Sequence, residues 1–161
     1  MAKQFHFIIG GYTILMILHL GTAFFLFGMK MGWSPESIQQ FYLGNPELFS
    51  VGRSRLGLIE TAVPHLVSIA ATAFILSHFL IFVPEVSTRS KLLVGALFPI
   101  SGLFDVASGF FIFYYGPVFV YLKYLSFLTF QACYLIILWI LLKASLLQSG
   151  LGGKTKSSAN S

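Results

Sequence analysis

Four histidines, His6, His19, His65 and His78, fall within or at the ends of two long apolar stretches, and none lies in a loop. An ionisable side chain inside a segment long enough to cross a bilayer is costly, faces the interior of a bundle and by default marks a functional site. The two histidines of each stretch are thirteen residues apart, about 20 Å along a helix axis. With the two stretches as neighbouring antiparallel helices, His6 comes level with His78 and His19 with His65. Neutral imidazoles facing each other across a helical bundle are what axial ligation of a b-type haem requires. Thirteen residues also leave the two histidines of one helix about 140° apart around its axis. Two haems between the same helices then need a kink, for which Pro64 is suitably placed. The cofactor expectation is one or two haems b, with all four histidines as candidate iron ligands; the plainer alternative for each is an imidazole hydrogen-bonded to a neighbouring helix.

Two acids accompany them. Asp105 lies inside a third apolar stretch and Lys123 a few residues into a fourth, joined by Gly116-Pro117. A paired aspartate and lysine would reduce the cost each incurs alone in lipid. The pair has two readings: an ion pair that fixes the hairpin, or Asp105 as a proton acceptor for a quinol or a partner for a haem propionate. Glu60, five residues before His65, is placed to handle protons at the membrane surface or, more simply, to favour a helix N-terminus. Quinone is therefore a second candidate cofactor. Cys133, the single cysteine, sits in the last apolar stretch and reads as a packing residue.

The elements that position these groups follow from composition. Of 161 residues, 57% are hydrophobic and 9% charged, and the mean hydropathy is +0.85. Too few polar side chains remain to cover a soluble globule. Four spans are predicted, at 5–29, 56–83, 92–115 and 118–147, in a membrane domain over 1–149. The fold class is an all-α four-transmembrane-helix bundle with a short interfacial helix in the first loop. That short helix is signalled by Ser34 as N-cap, Pro35 at the first helical position, Glu36 in the first turn, and a stop at Gly44-Asn45-Pro46. Its Ile38, Phe41, Tyr42 and Leu43, with Trp33 before them, suit the membrane interface. Gly116-Pro117 makes a tight turn between antiparallel spans. The first apolar run exceeds a signal-peptide core and no small-x-small cleavage motif follows, so it reads as a retained span.

Lys3, Arg89, Lys91, Lys143, Lys154 and Lys156 fall on one side of the membrane and Lys30, Arg53, Arg55 and Lys123 on the other, which places both termini in the cytoplasm. The net charge of +5 is spread over loops and helix ends and reports topology, with no nucleic-acid partner. Residues 150–161 read as a disordered polar tail.

The stretch from Glu60 through Thr61, Pro64, His65 and Leu66 to Ser68, then Ser77-His78-Phe79 and Leu103-Phe104-Asp105-Val106-Ala107-Ser108, resembles small bacterial four-helix membrane proteins of the b-type cytochrome kind associated with multihaem c-type cytochromes and quinone-linked electron transfer. The resemblance covers the second and third spans. It implies His65 and His78 as the foremost ligands, then His19, then His6, and a bacterial cytoplasmic (inner) membrane. The fourteen-residue ligand spacing of the long cytochrome b is absent. The function expected is an electron-transfer subunit linking the quinone pool to a redox partner within a larger respiratory or photosynthetic complex. Its partners would be other membrane subunits, and a c-type cytochrome or other redox protein docked on the outer face near Arg53 and Arg55. A haem-free assembly subunit is the competing reading. A transporter is disfavoured by the lack of internal repeats, and hydrolase, kinase, zinc-protease and nucleotide-binding motifs are absent.

Overall fold

The computed structural model describes residues 3–154, with side chains from 8 to 146. Helix α1 (Lys3–Met31) is followed by the short α2 (Pro35–Leu43), then by a small hairpin of β1 (Gly44–Asn45) and β2 (Ser50–Val51) around a 3-10 turn at Pro46–Leu48. Three long helices complete the chain: α3 (Arg55–Ile81), α4 (Thr88–Tyr115) and α5 (Val120–Lys154). Among the described residues, four helices are long and apolar enough to cross a membrane, over Ile8–Met31, Arg55–Ile81, Thr88–Tyr115 and Pro117–Leu146, so the chain is a multi-pass membrane protein. The expected 5–29, 56–83, 92–115 and 118–147 correspond to these within a few residues. Helix α5 runs on to Lys154, so 150–154 continue the helix; the remainder of the expected tail lies outside the described residues.

Local signals act as anticipated at the first loop. Ser34 caps α2 by accepting from the Ser37 backbone N–H at 3.1 Å, and Ser37 Oγ accepts from the Ser34 N–H at 3.2 Å, so two of the helix's orphan donors are satisfied. The Glu36 carboxyl is held below the usual range by a hydrogen bond from its own backbone N–H and one from the Ser34 side chain. Gly44 ends the helix at φ 81°, a backbone state open to glycine. The ordered hairpin beyond it, pairing Gly44 with Val51 and Asn45 with Ser50, was not foreseen, because two-residue strands leave no periodicity to read.

In lipid, association depends on close packing rather than on hydrophobic burial. Helix α4 carries Ser101-Gly102 and Ser108-Gly109 seven residues apart on one buried face; Gly102 admits Phe130 of α5 and Ile69 of α3, and Gly109 admits the Tyr42 ring of α2. There Phe98 stacks on Phe130 at 4.7 Å between centroids. Helix α1 lies on α5 through a stripe of Ile9, Thr13, Leu20 and Phe27, and α3 lies on α4. Within the most apolar window of each span, 44% of residues are buried in α5 and 33% in α4, against 17% in both α1 and α3. The central pair is therefore α4–α5, with α1 and α3 on its flanks.

This arrangement corrects the expectation that the two histidine-bearing helices pack side by side. Helices α1 and α3 meet where Tyr12 contacts the Phe79 ring edge-on at 5.5 Å, but each takes its main packing from the central pair. The small-residue face of α4 and its close fit to α5 leave the flanking helices on different partners.

Candidate functional site

The three histidines with described side chains all point outward. His19, His65 and His78 are exposed; the His6 side chain lies outside the described residues. His19 is one position off the α1 packing stripe, and its ring stands 6.3 Å from that of Tyr134 on α5. Tyr134 in turn donates its hydroxyl to Met16 Sδ at 2.8 Å, so His19 borders the α1–α5 seam. On α3 the packing stripe runs through Leu58, Ala62, Ala73, Leu76 and Leu80. At about 100° per residue, His65 lies about 50° from the centre of that stripe and His78 nearly opposite it. His78 sits between two aromatic rings, that of Phe74 on α3 at 6.1 Å and that of Phe82 at the cap of α3 at 5.3 Å.

His65 has the most defined geometry. Its Nδ1 lies 2.8 Å from the carbonyl oxygen of Thr61, one turn back. A carbonyl only accepts, so Nδ1 carries the proton, and Nε2 keeps its lone pair on the exposed side of the ring. The Thr61 hydroxyl donates to the Gly57 carbonyl at 2.8 Å. Pro64 lies inside α3 without ending it; its ring removes a backbone donor in the turn that carries His65. Glu60 is exposed on the same helix. No group of three or more His, Cys, Asp and Glu converges on one point among the described residues.

Away from the histidines, a buried polar cluster joins α2, α4 and α5. Lys123, 5% exposed, donates from Nζ to Asp105 Oδ1 at 2.8 Å and to the Asp105 carbonyl at 3.0 Å. The pair anticipated across the Gly116-Pro117 turn is thus formed, and the Asp105 carboxylate is committed to it. The Ser108 hydroxyl donates to the same Asp105 carbonyl at 2.8 Å. A third member is Tyr42, whose hydroxyl interacts with the Lys123 ammonium. Its ring rests on Gly109, where an added Cβ would lie 3.0 Å from the ring.

Helix α2 is therefore keyed into the bundle by Ile38 and Tyr42, both buried, while Leu43 and Trp33 stay exposed. The pattern of apolar residues along α2 suits the interface throughout, whereas Ile38 and Tyr42 turn into the bundle and Tyr42 joins the ion pair. The one-turn spacing of Ile38 and Tyr42 was the available signal.

Burial pushes the Tyr42 phenol above its ordinary value of 10.0, with the positive charge of Lys123 opposing and Asp105 adding to the rise. Below about pH 10 the phenol is neutral whether α2 is docked or released. Above it, the released phenol ionises first, so docking weakens as pH rises through that value. Limited proteolysis of the 32–54 segment between pH 8 and pH 11 is expected to accelerate above about pH 10 in the native chain and to lose that dependence in Tyr42→Phe.

A family model described as a transmembrane helical domain, Aq_1264_TM, matches residues 32–150. The match begins directly after α1 and takes in α2, α3, α4 and most of α5. Tyr42, Glu60, His65, His78, Asp105 and Lys123 lie inside it, and His6 and His19 outside. No curated protein and no solved structure matches the chain.

Proposed function

The chain belongs to the Aq_1264_TM family of transmembrane helical domains, and from that premise we propose that it is a membrane-embedded electron-transfer subunit in which His65 supplies one axial ligand to a b-type haem. The observation that carries this reading is the His65 ring itself. Its Nδ1–H is held by the Thr61 carbonyl, which sets the tautomer and leaves an outward Nε2 lone pair. A backbone carbonyl on the other ring nitrogen is the usual support of a metal-binding imidazole.

Because α1 and α3 take their main packing from the central pair and His19, His65 and His78 are exposed, His65 would hold the haem iron together with a ligand contributed by a neighbouring chain. A haem bound there supplies one-electron transfer within the bilayer. His78, between Phe74 and Phe82, is the second ligand candidate on α3, and His19 the third. The outward placement supports a covered surface: an imidazole facing acyl chains is costly, and a haem or a neighbouring helix removes that cost.

Asp105 works structurally in this scheme, since Lys123 occupies its carboxylate, and Glu60 is the group that exchanges protons with a quinol near His65. The partners are other membrane subunits and a c-type cytochrome or other redox protein at the outer face. The site of action is the bacterial inner membrane, with both termini cytoplasmic.

A second reading has its own support. Imidazoles pointing outward on separate helix faces also suit hydrogen bonds to several neighbouring subunits, as a haem-free assembly subunit would use. A reduced-minus-oxidised visible spectrum with pyridine haemochrome quantification, on the complex extracted from native membranes, separates the two. Electron transfer predicts a b-type signal that is lost in His65→Ala. A fully assembled, colourless wild type leaves the assembly role.

A further inference from the structure

At the end of the bundle that carries α2, a cavity of about 720 Å³ opens between the last turn of α1, α2, β2 and the start of α3. Its walls carry Lys30 and Arg53 together with Ser37, Gln40 and Ser54, and none of its lining residues is an aspartate or glutamate. The ion pair among the described residues is Lys123 with Asp105, so neither cavity cation has a carboxylate partner there. Arg53 is held in place: its guanidinium lies 4.4 Å from the Phe41 ring centroid, and its backbone N–H donates to the Tyr42 carbonyl at 3.0 Å.

A second cavity of about 430 Å³ adjoins the first, sharing Gly28 and Met29, and is otherwise walled by Phe24, Phe25 and Trp33. The Trp33 indole covers Gly28 so closely that an added Cβ would sit 2.5 Å from Nε1. The combined space has a cationic, hydroxyl-lined part and an apolar part. Both lie at the level where the spans Ile8–Met31 and Arg55–Ile81 end, which is where a bilayer places its head groups.

We propose that this double cavity binds an anionic phospholipid, its phosphate-bearing head group between Lys30 and Arg53 and one acyl chain along Phe24, Phe25 and Trp33. Charge complementarity selects the head group, and the contiguous aromatic groove selects an amphiphile over a free anion. The site is independent of haem binding and uses none of the histidines.

Trp33 lines the apolar part and makes the site measurable. The chain has two tryptophans, and Trp139→Phe leaves Trp33 as the sole reporter. The full chain in this background is reconstituted into phosphatidylcholine vesicles that contain either brominated phosphatidylglycerol or brominated phosphatidylcholine, and quenching of Trp33 is followed against mole fraction. Brominated phosphatidylglycerol is expected to quench at about twentyfold lower mole fraction, and Lys30→Gln and Arg53→Gln each to lower that preference about fivefold. Lys30 is exposed, so its variant carries the test even if the loss of Arg53 disturbs α2, and Lys30→Arg should keep the preference.

Equal quenching by the two lipids would overturn the proposal in favour of unselective annular lipid. Relief of phosphatidylglycerol quenching by millimolar inorganic phosphate would overturn it in favour of a soluble-anion pocket. Persistence of the quenching in phosphate, with loss in the variants, supports it.

Discussion

Lys123→Met is expected to destabilise the bundle by about 3–5 kcal/mol, because it leaves a buried carboxylate without its cation. Asp105 has a side chain 15% exposed and accepts from Lys123 at 2.8 Å; inside a bundle, water cannot replace the lost partner. Asp105→Leu should have an effect of similar size for the converse reason, since the lysine is more deeply buried than the aspartate. The double variant Asp105→Leu, Lys123→Met removes both charges and is expected to recover most of the loss, because a buried ion pair replaced by apolar side chains is often neutral.

Unfolding of the purified protein in mixed micelles, run as a double-mutant cycle, gives the coupling directly. Single variants within about 0.5 kcal/mol of the native chain would show that the pair contributes no more than an exposed surface contact. The cluster also extends to Tyr42, so the lysine variant should loosen α2. Faster proteolysis of the 32–54 segment in Lys123→Met than in the double variant would locate that effect at the unpaired carboxylate.

Gly102→Val should be strongly damaging at the packed centre of the bundle. An added Cβ there would lie 2.8 Å from Phe130 Cε2 and 2.9 Å from Ile69 Cγ2, so it collides with both α5 and α3. Overpacking of a filled interface costs about 1–3 kcal/mol, and two faces are affected together. The Phe98–Phe130 stack, with rings inclined by 7°, gives little room to yield. Gly10→Ala is the matched control, since nothing lies within 4 Å of its added Cβ. It should change stability by no more than about 1 kcal/mol, in the direction of helix propensity. A Gly102→Val variant at least as stable as the native chain, moving in the same direction as Gly10→Ala, would show that helix propensity governs these glycines and close approach does not.

Much of the architecture was readable from short stretches of sequence. Span lengths came from apolar runs, the start of α2 from Ser34-Pro35-Glu36, its end from Gly44, and the last hairpin from Gly116-Pro117. The ion pair was also legible, because the turn between Asp105 and Lys123 is short and brings two costly charges to one depth. These features depend on groups near each other along the chain. The Tyr42 contact was harder to see: one face of α2 enters the bundle, and its partner Gly109 lies more than sixty residues away.

The sequence by itself determined how many times the chain crosses the membrane, where each crossing starts and stops, and that three of its four histidines lie well inside the apolar stretches. It did not determine which helices are neighbours or which way those histidines point. In water, a helix declares its buried face by amphipathicity. In lipid, the packed face and the lipid face are both apolar, so the long helices carry no such label. Their partners are selected by fit, here Gly102 of α4 admitting Phe130 of α5 and Ile69 of α3, and that fit depends on residues far apart in the chain. Only the tertiary structure could therefore place α1 and α3 on the flanks and turn His19, His65 and His78 outward.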